Sequence, residues 1–441
     1  MMQTWFKKAK LGIFIHWGLY AVNGITESWP IAQGQMSRDE YYKQKDGFTA
    51  ENYDPKEWAK LFKAAGANYA VLTTKHHDGF ALFDTEFTNF NAVKASPAKR
   101  DLVKPYCDAL REEGLKVGLY FTNTDWADDD HLRVITDKTQ AGIDEMSKTP
   151  TQFNHYFDAP IPVGDNREEL NECWQRFMTR YKGEIEELMT RHKPDVFWTD
   201  VMVYRDGFSW ECEEVKNMIE TLSPNTICNG RLGEYGDYEN PEMYVPLRPL
   251  NEEWELCNTF NDSWGYQPND KNYKNIRQIV RILCECISKG GNLLIGTGPD
   301  AKGDIPQEAK SLMLQLGEWT KKYAEAIYPT EKGLDPAYFL GGSTLSEDKK
   351  TLYLFSYDNS SEKLLLNGVR NNIKRITSLK NGQELSHIVG PGAPWINMPG
   401  LIWIDLPKSA TDDVCTVIKI EFNEPIDIVD INSTVRSVGG A

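Results

Sequence analysis

No stretch of this 441-residue chain approaches 18 consecutive apolar positions, so no membrane-spanning helix is expected. Nor does any Lys/Arg-rich run offset the formal net charge of −16. A surface this acidic repels phosphate backbones and anionic lipid, which argues against nucleic acid or a membrane surface as partner. The eight cysteines form neither a CxxC pair nor a Cys/His zinc spacing, and no helix carries HExxH. Cys284 and Cys286 fall in an apolar helical stretch and read as buried free thiols, although spacing alone does not give connectivity. Internal repeats and low-complexity tracts are also missing. The chain enters a structured pattern at Met1-Met2-Gln3-Thr4-Trp5-Phe6 with no signal-peptide signature. This fits a cytoplasmic protein, or a periplasmic or secreted one whose leader has been removed.

What is abundant is aromatic surface: 12% of the residues, with 13 tryptophans. Exposed tryptophan faces are costly unless something stacks on them, so the excess leans towards carbohydrate or another flat ligand. Short apolar runs at Leu11–Ile15, Tyr69–Thr73, Lys116–Phe121, Asp195–Trp198, Thr226–Cys228 and Asn292–Ile295 predict buried strands. Amphipathic stretches at Pro55–Ala65, Asp101–Glu113, Glu168–Arg191 and Asn275–Lys289 predict helices between them, and Gly66 and Gly114 stand where left-handed C-caps are wanted. Such alternation makes a parallel sheet with helical crossovers. With no glycine-rich phosphate loop after the first strand, a (β/α)₈-like, TIM-type barrel is favoured over a dinucleotide fold. Beyond about Tyr328 the pattern changes to short alternating runs between Asn/Gly/Asp/Pro turns, as in an antiparallel β-sandwich. The expected organisation is a catalytic barrel over residues 1–330 and a C-terminal β-sandwich over 331–441, joined near Pro329–Pro336. The poorly periodic stretch Asp128–Asn166 reads as a long excursion on the barrel's upper face.

Reactive groups of parallel barrels collect at the carboxyl ends of the strands. The strands here end in His16-Trp17-Gly18, Lys75-His76-His77-Asp78-Gly79, Asn123-Thr124-Asp125-Trp126, Trp198-Thr199-Asp200 and Asn229-Gly230-Arg231. Three of only seven histidines lie at such ends. A metal site is not expected of them, because adjacent His76 and His77 would diverge on a regular strand. Two carboxylates flanking a sugar are the alternative chemistry. Asp200, directly after a Val-Phe-Trp run, is the candidate nucleophile. The acid lies among Glu239, Glu242, Glu252, Glu253 and Glu255, a cluster that reads as too polar for core.

These motifs together resemble the α-L-fucosidases of glycoside hydrolase family 29. The resemblance is carried by Trp5–Gly18, by Leu72-Thr73-Thr74-Lys75-His76-His77-Asp78-Gly79-Phe80, by Lys99–Val103 and by Gly118-Leu119-Tyr120. It continues through Pro194–Asp200, Trp254-Glu255-Leu256-Cys257, Ser263-Trp264-Gly265-Tyr266 and Gly290–Leu294. It implies a barrel plus a C-terminal β-sandwich, retaining hydrolysis of terminal α-L-fucose from a fucosylated oligosaccharide or glycoconjugate, and no metal or other cofactor. It makes Asp200 the nucleophile and Glu242 the acid/base, with Glu255 as an alternative assignment. It sets His16, His76, His77, Tyr120, Trp198 and Arg231 around the fucose, with Trp264 facing its methyl group, and Glu255 among the substrate-binding residues. Other readings are an exo-glycosidase for a galactoside of similar hydroxyl pattern, an inactive fucose-binding protein, and a metal-dependent hydrolase. Several positions depart from the family pattern. Glu27-Ser28-Trp29-Pro30 stands for the usual Glu-Trp-Tyr, Val201 for a Gly, Asn229-Gly230-Arg231-Leu232 for Asn-Asp-Arg-Trp, and the last strand lacks the usual Asn.

Overall fold

The computed structural model describes residues 2–135, 166–200, 208–250, 253–358 and 360–430. Seven parallel strands form the first sheet: β1 (Leu11–Ile15), β2 (Tyr69–Lys75), β3 (Lys116–Thr122), β4 (Val196–Asp200), β5 (Ile227–Cys228), β6 (Glu255–Thr259) and β7 (Asn292–Thr297). Their spatial order is β5-β4-β3-β2-β1-β7-β6. All the expected strands are present to within a few residues. β6 is an addition to them, because Glu-Leu-Cys-Asn-Thr does not read as a buried strand, yet all five residues are buried.

The gap between β5 and β6 is bridged by an extended segment, residues 238–242. Single parallel bridges link Asn229 to Tyr238, Glu239 to Trp254 and Glu242 to Cys257. The Glu239 N–H donates to Glu253, the Glu255 N–H to Glu239 and the Cys257 N–H to Pro241, at 2.9–3.1 Å. Pro241 has no N–H to give, so the ladder stays irregular. This seam takes the eighth place of a (β/α)₈-like barrel.

Alternation along the strands separates two cores. Phe14, Tyr69, Val71, Tyr120, Val196, Trp198, Ile227, Cys257 and Leu294 fill the barrel interior. Their neighbours Ile13, Ala70, Leu72, Leu119, Phe197, Leu256 and Leu293 face the surrounding helices. Those helices start and stop as their sequences dictate. Asp54 caps Pro55–Ala64. Asn275 and Gln278 form a reciprocal capping box on Ile276–Ser288. Gly66 and Gly114 adopt φ of 88° and 70°. At Gly66 a Cβ would also meet Thr320 Oγ1 at 2.3 Å. All eight cysteines are free thiols, with Cys284 and Cys286 buried as expected. Of the Asp128–Asn166 excursion, Asp129–Ile135 is helical and residues 136–165 lie outside the described ones, as do Val201 and Glu252.

An antiparallel sheet follows, β12-β15-β10-β9-β8, made of β8 (Thr330–Lys332), β9 (Gly342–Ser346), β10 (Thr351–Ser356), β12 (Ile373–Ser378) and β15 (Thr416–Phe422). Facing it is the sheet β11-β14-β13, made of β11 (Lys363–Leu366), β13 (His387–Val389) and β14 (Ile402–Asp405). Leu352, Leu354, Ile418 and Ile420 pack between the two sheets with Leu364, Leu366, Ile402 and Ile404. Tyr353, Phe355 and Val417, on the opposite face of the first sheet, join the barrel's outer core. The sandwich is thus welded to the barrel by apolar contact. Among the described residues no helix is long and apolar enough to cross a membrane.

Candidate active site

At the carboxyl end of the barrel lies a cavity of about 150 Å³, lined by Phe14, His16, Glu27, Trp29, His76, His77, Tyr120, Trp198, Asp200, Arg231, Glu242, Cys257 and Trp264. A wider hollow of about 820 Å³ opens on the sandwich between Ser360 and Lys408, but it gathers neither histidine nor aromatic residues.

Asp200 is the last residue of β4, and its carboxylate is held on three sides. Tyr120 Oη donates to Oδ2 at 2.7 Å, His77 Nε2 lies 3.6 Å from the same oxygen, and Arg231 pairs with Oδ1. Burial pushes this carboxyl up, but the Arg231 guanidinium, helped by the Tyr120 hydroxyl, outweighs it and holds Asp200 below its ordinary value. The second arm of the Arg231 guanidinium pairs with Glu242, at the end of the seam. One cation therefore spans both carboxylates, and it lies 4.7 Å above the Trp198 ring. Trp198 in turn stacks on Tyr120 at 5.5 Å and 22°.

Both histidines of the β2 end reach the cavity, contrary to the divergence expected of neighbours on a regular strand. The cause is a bulge. Thr73 pairs with Tyr120 and Lys75 with Phe121, leaving Thr74 as an extra residue. The strand then ends, and a His76–Gly79 turn closes with a 2.9 Å backbone bond. The two rings sit 4.3 Å apart. On the outer side, Lys75 Nζ binds Asp125 at 3.1 Å and Glu184 at 2.5 Å, all deeply buried, which pins the bulge from behind. Burial drives His77 down to about 4 and His16 down to about 3, so both rings are neutral. His16 packs 5.0 Å from Trp264, and its Nδ1 has no partner among the described residues.

The Glu cluster needs correcting. Glu255 is fully buried inside the barrel, beneath the floor, and does not line the cavity. Tyr69 Oη donates to it at 2.5 Å, Trp198 Nε1 at 2.9 Å and Asn240 Nδ2 at 3.3 Å. A carboxyl is tolerated there because those donors satisfy it. Burial nevertheless raises it to about 7. Glu255, which the resemblance sets among the substrate-binding residues, therefore does not reach the cavity. Glu253 pairs with Lys7 rather than facing the cavity.

Four lining residues, Phe14, Glu27, Trp29 and Cys257, are not among the expected site residues. Glu27, pushed up to about 7 by burial, accepts the Gly265 N–H at 2.5 Å. Trp29 meets the His77 ring edge-on at 5.4 Å. An acid two residues before a tryptophan in the first βα-loop was the available signal, obscured by the intervening Ser28. Leu232, where the related pattern has an aromatic, is buried in the outer core.

Among the described residues no three His, Cys, Asp or Glu side chains converge as a metal site requires. What the site holds is a buried carboxylate, a second and more exposed one, a shared guanidinium, and a wall of neutral imidazoles and indoles. That is equipment for nucleophilic and acid–base work on a polar ring.

Comparison with known proteins agrees with this geometry. The α-L-fucosidase family model matches residues 1–325. The plasma α-L-fucosidase of Rattus norvegicus is 32% identical over 358 residues, covering 75% of this chain and 71% of that one. Among solved structures, α-L-fucosidase isoenzyme 1 from Paenibacillus thiaminolyticus superposes with a TM-score of 0.80 at 33% identity, covering 95% of this chain and 98% of the other. Thermotoga maritima α-fucosidase in complex with a mechanism-based inhibitor gives 0.72 at 29%, covering 95% and 96%. The chain belongs to the α-L-fucosidase family of glycoside hydrolases.

Proposed function

We propose that the protein is a retaining exo-α-L-fucosidase acting on fucosylated oligosaccharides or glycoconjugates. The observation that carries this reading is the single Arg231 guanidinium holding Asp200 and Glu242 side by side over one small cavity. Retaining glycosidases keep their two carboxyl groups only about 5–5.5 Å apart, with no room for a water between nucleophile and sugar. The cavity volume, about 150 Å³, is well under the roughly 300–1,000 Å³ of pockets for larger ligands. It suits one terminal sugar, hence exo attack.

In the first step an Asp200 oxygen bonds to the anomeric carbon while the glycosidic C–O bond breaks, and Glu242 gives its proton to the departing oxygen. In the second, Glu242 takes a proton from water, the water oxygen bonds to the anomeric carbon, and the ester to Asp200 breaks. Ionised Asp200 suits the first role. Glu242 has a side chain 43% exposed and can exchange protons with solvent between steps. His16, His76 and His77 would meet the sugar hydroxyls, Trp198 the floor of the ring and Trp264 its methyl group.

A panel of linkage-defined fucosylated oligosaccharides, an aryl α-L-fucoside and the matching galactosides tests the reading. Release of fucose from the first two groups supports it, and preference for galactosides overturns it. Each of His16→Ala, His76→Ala and His77→Ala should lose about 10- to 100-fold in kcat/KM, as expected when a buried polar contact worth about 1–3 kcal/mol is removed. The reading also needs no metal. Dialysis against a strong chelator should leave the rate unchanged, and inactivation reversed by Zn²⁺ would favour a metal-dependent hydrolase instead.

A further inference from the structure

Ser28 separates Glu27 from Trp29, where the related pattern has the acid and the tryptophan adjacent. It is wholly buried. Its Oγ lies 2.5 Å from His76 Nδ1 and accepts the backbone N–H of Asp78 at 2.9 Å. The Asp78 end of this relay is rigid: its carboxylate accepts from Tyr41 Oη at 2.8 Å and from the Phe80 N–H at 2.9 Å.

A backbone N–H can only donate, so it occupies one lone pair of the serine oxygen. The hydroxyl proton then needs an acceptor, since a buried donor left without one is costly. Two acceptors are within reach: His76 Nδ1, 2.5 Å away, and the Asp78 carboxylate, whose two oxygens already take the Tyr41 hydroxyl and the Phe80 N–H. Were Nδ1 to carry the proton instead, the serine oxygen would receive two donors and its own proton would be left to an Asp78 carboxylate that Tyr41 and the Phe80 N–H already engage. Burial, with His77 and His16 alongside, drives His76 strongly towards the neutral form, which has a single ring proton. That proton is left to Nε2.

We propose that Ser28 is a positioning residue that locks His76 in the Nε2–H tautomer and so makes it an obligate hydrogen-bond donor to the sugar. The inference rests on the reading of His76 as a sugar-binding residue. It explains what this chain's departure in the first loop does, since the inserted hydroxyl sets the polarity of one contact in the cavity. A donor there recognises an oxygen by its lone pairs, and a ligand group that can only donate is refused.

Two measurements test it. The first is ¹⁵N NMR of the full chain with labelled histidine, with the His76 signals identified by their loss in His76→Ala. In the wild type Nδ1 should show the shift of an unprotonated, acceptor nitrogen and Nε2 that of a protonated one. Ser28→Ala should erase that bias. The second is a double-mutant cycle on kcat/KM. Ser28→Ala should cost about 10-fold in the wild type and nothing further in His76→Ala. A protonated Nδ1 in the wild type overturns the proposal, and so does a Ser28→Ala loss that persists undiminished in His76→Ala, because the serine would then act on the fold at large. Should His76→Ala leave kcat/KM intact, the sugar-binding reading of His76 falls and takes the proposal with it. The wild-type tautomer needs no variant at Ser28 to fold.

Discussion

Asp200→Ala should lower turnover by several orders of magnitude, the scale seen when a covalent nucleophile is removed. The truncation deletes the attacking atom. It also leaves the inner arm of Arg231 and the Tyr120 hydroxyl, both now bonded to the carboxylate, without their acceptor. The protein should still fold, because Asp200 stands at the open end of β4 and the packed part of that strand, Val196 to Trp198, is untouched. Azide should restore part of the activity by entering the vacated space as an external nucleophile beside a ready-made cation. The diagnostic product is a fucosyl azide of inverted configuration, since one displacement then replaces two. Near-normal turnover in the variant would remove Asp200 from the mechanism.

Glu242→Ala and Glu255→Ala should fail in different ways. Proton donation is worth about 10²–10⁴ in rate when the leaving group is poor, and little when it is an activated phenol. Glu242→Ala should therefore cripple oligosaccharide cleavage while largely sparing aryl fucoside at the first step. Glu255 has no exposed surface through which to meet a leaving group. Removing it strands the Trp198 indole N–H and the Tyr69 hydroxyl in a dry interior, at about 1–3 kcal/mol for each unmet group. Its loss should lower stability, and lower both substrates' rates by the same factor. Melting curves and the ratio of the two kcat/KM values separate the cases. A leaving-group-dependent loss in the Glu255 variant would transfer the proton-donor role to it.

The strands that were legible in advance are those whose residues say one thing only. Leu11–Ile15 is five apolar residues buried on both sides, and no other element accommodates it. β6 was hidden because its first residue is an acid, and the donors that make an acid tolerable inside a barrel come from Tyr69, Trp198 and Asn240, all remote in sequence. The seam at 238–242 was hidden by Pro241 and by its single-residue bridges. Asp200 was readable as a strand-end carboxylate. The joint presence of His76 and His77 was not, because it depends on one surplus residue, Thr74, and a bulge leaves no mark in the pattern of side chains. The resemblance supplied nine of the thirteen residues that line the cavity. It could not supply Ser28, whose role exists only through contacts to His76 and Asp78.

The seam also has a thermal consequence. A ladder of isolated bridges, interrupted by a proline, opens at a lower free energy than the fully paired strands around it. Glu242 rides on that segment, so loosening the closure and displacing the carboxyl group are one motion. On heating, hydrolysis of oligosaccharides should fade before the barrel melts, and reversibly so. Amide exchange should find residues 238–242 to be the first of the sheet to open. An enzyme built this way carries its own fuse, which trips at the chemistry before the scaffold is lost.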